Sequence, residues 1–155
     1  MNAILRLCIV AALLLAQSAY AKEIAVLLPV IGPLTPFEQA ELSKDTAATF
    51  SSKFDLKYGV AVDRFVNQVF HEESKKKDCD ESNCYRRIAA KFHAEKIVVL
   101  RVAEVEKGRY LLTSHLYDVP TGEMTSSEKA ECVQCSFEKL KVQCKELTQR
   151  LISGK

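Results

Sequence analysis

The segment DCDESNCYRRIAAKFHAEKIVVLRVAEVEKGRYLLTSHLYDVPTG, Asp78 to Gly122, specifies a helix, two strands and two turns in 45 residues. Within it, Ile97 to Val102 (IVVLRV) is apolar on both faces until Arg101, the mark of a central strand covered on both sides. Glu106-Lys107-Gly108 makes a hairpin turn. Tyr110 to Tyr117 returns, with Leu112 and Leu116 set against Thr113 and His115. Pro120-Thr121-Gly122 turns again, into a polar edge strand from Glu123 to Glu131. Connections this short join antiparallel neighbours. Upstream, Asp80 or Ser82 caps a helix over Tyr85 to Ala94, with Ile88, Ala89 and Phe92 facing inward.

Nearer the amino end, Ile24 to Val30 (IAVLLPV) reads as a buried strand, with Pro29 near its exit. Thr35-Pro36-Phe37-Glu38 is a helix start: Thr caps, Pro occupies the first turn and Glu completes a capping box. That helix is expected to reach Phe54, with Ala40, Ala47, Phe50 and Phe54 on one side. Tyr58 to Val62 (YGVAV) reads as a short strand. Asp63 then caps a helix carrying Phe65, Val66, Val69 and Phe70, which ends in the charged run His71 to Lys77. After Ser136, Phe137, Leu140, Cys144, Leu147 and Leu151 recur at steps of three and four, one apolar helix face. The element order is β-α-β-α-α-β-β-β-α. The fold class is α/β (α+β): a mixed sheet of about five strands, parallel early and antiparallel late, with helices packed on it.

Residues 1–21 read as a cleaved signal peptide. Arg6 supplies the positive start, Cys8 to Ala16 the apolar run, and Ser18 to Ala21 a small-residue cleavage site. The apolar run is well short of the ~20 residues of a membrane span. Lys22, and not Cys, would begin the mature chain, so no lipid anchor is expected. Residues 22–155 then form a single domain, soluble and periplasmic. The net charge of the whole chain is +2. Both signs are interspersed, which leaves no footprint for nucleic acid and no polybasic membrane patch.

Export implies an oxidising compartment, so disulfides are the default for Cys79, Cys84, Cys132, Cys135 and Cys144. Cys144 sits mid-face on the last helix and reads as a free buried thiol. A Cys135–Cys144 bond would have to span about 13 Å along that helix, against the ~7 Å that disulfide geometry allows. The expected pairs are Cys79–Cys84 and Cys132–Cys135. Four thiolates on zinc is the rival arrangement.

The residues offer little chemistry. Cys132-Val-Gln-Cys135 before a helix has the form of a thiol–disulfide exchange motif, because a helix start stabilises a thiolate. Against it stand its place before the last helix and the lack of a cis-proline partner. Asp78 to Cys84 lacks the glycine and terminal Glu of a calcium loop. His71, His93 and His115 show no metal-binding spacing. No phosphate-cradling glycine loop or G-x-S-x-G elbow occurs. No catalytic residue, cofactor or metal is assigned.

The chain resembles the CsgG/TolB-N-like superfamily of bacterial periplasmic envelope proteins. The similarity is carried by I-A-V-L-x-P (Ile24 to Pro29), by Cys79 and Cys84 before Ile88, Ala89 and Ala94, and by K-I-V-V-L-x-V (Lys96 to Val102). Gly108, Tyr110 and the closing Leu116, Asp118, Thr121 and Gly122 complete it. Relatives place a Gly where this chain has Leu100-Arg101-Val102. The chain also lacks room for the membrane hairpins of channel-forming members. The resemblance implies a non-enzymatic module acting through protein–protein contact, an accessory to secretion or surface-polymer export. Its partners would be envelope proteins or further copies of itself. A CxxC redox protein and a small-ligand-binding periplasmic protein are the alternatives.

Overall fold

The computed structural model describes residues 21–76 and 80–154. Its centre is β3, Lys96–Glu106, in which Ile97, Val98, Val99 and Leu100 are fully buried. Burial on both faces requires cover on both sides, and the topology supplies it. β1 (Ile24–Leu27) runs parallel to β3, and β2 (Asp55–Lys57) runs parallel to β1. On the other flank β4 (Arg109–Asp118) and β5 (Glu123–Val133) continue as an antiparallel meander. The sheet order is β2-β1-β3-β4-β5. The mixed five-stranded sheet and the element order are as the sequence pattern predicts.

Two crossovers run in opposite directions across this sheet, so a common right hand places them on opposite faces. Helix α1 (Pro36–Phe50) and the last helix α4 (Phe137–Ser153) share one face. There Phe50, Leu42, Leu147 and Leu151 bury the side chains of Ala25, Leu27, Val98, Leu100, Val102 and Leu112. Helices α2 (Val60–Glu73) and α3 (Glu81–Phe92) take the other face, where Val66, Val69, Ile88 and Ala89 pack on Val26, Leu28, Ile97 and Val99. The strict alternation of Ile97/Val99 against Val98/Leu100 is the period-two pleat of a strand.

The capping box at α1 forms as expected: Glu38 N–H donates to Thr35 Oγ1, and Thr35 N–H donates back to Glu38. Other boundaries differ. α1 ends at Phe50; Phe54 is still buried, beyond the helix, with its ring 6.1 Å from that of Phe50. Ala40 is exposed, and Leu42 and Thr46 hold the inner face instead. The strand expected at Tyr58 to Val62 lies at Asp55–Lys57. Gly59, at φ 91°, turns the chain straight into α2, so Asp63 lies inside the first turn and is not the cap. Val62, Val66, Val69 and Glu73 form the buried stripe of α2. In a run as short as YGVAV, strand and helix periodicities coincide. α3 starts at Glu81, four residues earlier than expected, capped by Asp80 through Ser82 N–H.

After β1 the chain stays beside β3. Ile31 N–H donates to Leu100 O at 3.1 Å, and Val102 N–H donates to Ile31 O at 2.7 Å. Close packing requires a glycine here. A Cβ on Gly32 would lie 2.4 Å from the Val102 carbonyl oxygen.

Candidate functional site

The cysteines resolve into separate settings. Cys132 and Cys135 are disulfide-bonded, with Cα atoms 5.4 Å apart. Cys132 is a strand residue opposite Tyr110, and only 5% exposed. Gln134, at φ 48°, turns the chain, and Cys135 N–H donates to Gly108 O. The helix cap is Ser136. The motif therefore clasps the end of β5 to the β3–β4 turn. Cys144 is buried in the α4 core beside Leu140 and Leu147. Burial, with a contribution from Asp45, pushes its thiol up to about 12. Cys84 is buried in α3. Its expected partner, Cys79, lies outside the described residues. Among the described residues no group of three His, Cys, Asp or Glu is placed to hold a metal.

The feature that invites function is a sheet face. α4 packs on β4 and β5 from one side. On the opposite side α3 reaches only as far as Arg101, whose Nη2 donates to Glu81 Oε1 at 3.0 Å. Beyond that row the sheet is bare. Cross-strand register lines up Arg101, Thr113 and Lys129, then Ala103, Leu111 and Glu131, then Arg109 and Val133. Ala103, Lys129, Glu131 and Val133 are exposed, Val133 at 62%. Val105, at the bulge between Glu104 and Glu106, is 51% exposed. An open antiparallel face is ordinarily polar; this one sets Ala103, Val105, Leu111 and Val133 among charges of both signs. Arg109 donates to Glu131 at 2.9 Å. The Nε atoms of Arg101 and Arg109 are buried without a hydrogen-bond partner among the described residues. A buried donor left unpaired is unfavourable; each guanidinium pairs through Nη2 instead, Arg101 with Glu81 and Arg109 with Glu131.

At the upper end of this face, α3 and the β4–β5 turn enclose a cavity of about 160 Å³. Its walls are the rings of Tyr85 and Tyr117, 4.9 Å between centroids, with Val119 and Pro120. Tyr85 Oη donates to Glu81 Oε2 at 3.2 Å, and burial raises the phenol above its ordinary range, Glu81 adding to the effect. Asp118 accepts from Lys96 Nζ at 2.6 Å and from Thr121 N–H at 3.0 Å. The Lys96 bond is the main reason its carboxyl titrates low. Arg86 and Ser82 stand at the rim.

Beside the cavity, Ser127 Oγ lies 3.0 Å from His115 Nδ1. Burial and then the charge of Arg101 lower the His115 pKa, so the ring is neutral at pH 7. A Ser–His pair turns nucleophilic when a third group orients the imidazole. No carboxylate hydrogen-bonds His115 among the described residues. His71 and His93 are exposed, His93 as the left-handed cap of α3. Asp118, Thr121 and Gly122 of the cavity fall in the closing turn motif, but its tyrosines and the residues of the bare face belong to none. Arg101 and Glu81, or His115 and Ser127, meet only through the fold.

A mixed sheet with paired helices on each face, ending in an antiparallel meander, defines the structural class. Solved structures of that class are similar to this chain. The LpoB C-terminal domain from Salmonella enterica matches with a TM-score of 0.50 and 19% identity, over 81% of this chain and 93% of that one. The PelC dodecamer from Paraburkholderia phytofirmans matches at 0.50 and 14%, over 87% and 89%. A hypothetical protein from Chlamydia trachomatis matches at 0.50 and 14%, over 86% and 95%. At these identities the likeness is one of fold. No family model and no curated protein matches the chain.

Proposed function

We propose that this is a non-enzymatic module of the bacterial envelope that acts by protein–protein contact. Residues 1–21 would be removed on export, and residues 22–155 would work in the periplasm as one CsgG/TolB-N-like domain, stapled at Cys79–Cys84 as well as at Cys132–Cys135. Among the described residues no helix is long and apolar enough to cross a membrane. The observation that carries the proposal is the bare face of β3–β5, with Leu111 at its centre and the exposed Ala103, Val105 and Val133 around it. Exposed apolar surface rimmed by polar groups is the mark of an interaction site. An accessory role in secretion or surface-polymer export is what the CsgG/TolB-N-like resemblance implies. Self-association is a second form of the same contact, suggested by the PelC dodecamer.

Thiol–disulfide exchange finds less support. The attacking sulfur of such a motif is partly exposed at a helix start, whereas Cys132 is buried within a strand. Tagged protein incubated with native envelope extract should retain one defined partner, and Leu111→Asp should lose it while keeping a native circular dichroism spectrum. Equal retention by the variant, or no specific retention by the parent chain, would refute the proposal.

A further inference from the structure

We infer that the Tyr85–Tyr117 cavity receives one aliphatic side chain of a partner segment, and that Arg86 binds a carboxylate beside it. This rests on the protein-contact reading above and names the partner's chemistry. A space of about 160 Å³ matches the ~150 Å³ that holds a benzene-sized group. It is too small for an acyl chain or a folded element and suits a single side chain. Its rings and Pro120 offer apolar walls.

The polar groups around it are almost all engaged. Glu81 is shared by Tyr85 and Arg101, and Asp118 by Lys96 and Thr121. Asp80 spends its oxygens on Ser82. Asp80 feels the charge of Arg86, yet among the described residues Arg86 enters no ion pair. Its guanidinium has one bond, from Nη2 to Asn83 Oδ1 at 2.8 Å, and the residue is exposed. The remaining donors fit a carboxylate fork. The cavity lies beside Tyr117, on the strand and face that also carry Thr113 and Leu111. A segment anchored there would continue across the bare sheet, past Thr113 and Leu111. A second copy is the poorer occupant, because stacking two such faces about a two-fold axis along β4 sets Arg101 over Lys129.

The test is a nitrogen-15 NMR titration of the folded protein with three synthetic peptides: acetyl-Gly-Asp-Leu-Asp-Gly-amide and its Asp-Ala-Asp and Lys-Leu-Lys counterparts. The Asp-Leu-Asp peptide should shift the amides of Tyr85, Arg86, Tyr117 and Thr121. The other two should bind at least about tenfold more weakly, and Arg86→Gln should weaken the first by about tenfold, the loss of one charge-assisted bond. Val142→Asp, on the exposed side of the last helix across the sheet, should leave the titration unchanged. Equal shifts from all three peptides, shifts elsewhere, or none at millimolar peptide would overturn the assignment. If those results came while envelope capture still depended on Leu111, only the cavity's role would fall and the bare face would stand.

Discussion

Replacing Gly32 by alanine tests the seam that ties the segment after β1 to the central strand. The added Cβ would meet Val102 O at 2.4 Å and Val102 Cβ at 3.0 Å. Both are parts of the core strand, so neither can swing aside as a side-chain tip would. The segment must move, and overpacking of this kind costs about 1–3 kcal/mol. Moving it also endangers the bonds Ile31 N–H to Leu100 O and Val102 N–H to Ile31 O, at roughly 0.5–1.5 kcal/mol each. The expected loss is therefore about 2–6 kcal/mol, a large share of the stability of an ordinary domain. Gly122→Ala is the control, since nothing stands within 4 Å of its added carbon and only its φ of 71° opposes the change. That strain is about 1–2 kcal/mol. Urea unfolding of both variants gives the comparison, and amide exchange at Val102 reports the seam directly. A Gly32→Ala protein within 0.5 kcal/mol of its parent, with Val102 still protected, would refute the steric argument.

Acid should destabilise the fold through Glu72, Glu73, Asp80 and Asp118, whose carboxyls all titrate low, held by Arg87, Lys76, Ser82 and Lys96 in turn. A depressed folded pKa contributes stability above the unfolded value of about 4, which is lost as pH falls through the folded one. Asp63, raised by burial, works in the opposite direction. Urea midpoints should thus hold from pH 7 to about 5 and fall steadily towards pH 2; a midpoint that rises below pH 4 would contradict this. Cys144, with its thiol near 12, should resist aromatic disulfide reagents at pH 8 and react at once in denaturant. Reducing Cys132–Cys135 opens a very short loop, so chain entropy predicts a loss of only about 2 kcal/mol, read as a modest drop in urea midpoint with the fold retained.

Much of the architecture was legible because it is written in local terms. Ile97 to Leu100 announced the central strand by unbroken apolarity, Thr35 and Glu38 the first cap, and the steps from Phe137 to Leu151 the last helix. Where local terms were ambiguous, the pattern misled. Tyr58 to Val62 satisfied both periods, and only the pairing of Asp55 to Lys57 with Ile24 to Val26 shows where the strand lies. The bare face was not legible at all. Ala103, Val105 and Leu111 look like core residues until one knows that α3 stops at Arg101. The tyrosine cavity likewise joins residues 32 positions apart, Tyr85 and Tyr117, that share no motif.

The parallel pairing of β1 carries a consequence for the order of assembly. Ala25 to Leu27 pair with Lys96 to Val98, some seventy residues downstream, whereas β3, β4 and β5 pair with immediate neighbours. Contacts that close long loops form late, because the entropy of closure comes due before the contact repays it. Pulse-labelled refolding should show protection at Leu112 to Leu116 before Ala25 to Leu27, and the reverse order would contradict the topology. A chain emerging amino end first thus presents its first strand long before the partner it needs. Until residue 98 or so has followed, that strand has no partner in β3, and the early chain remains an unfinished thread.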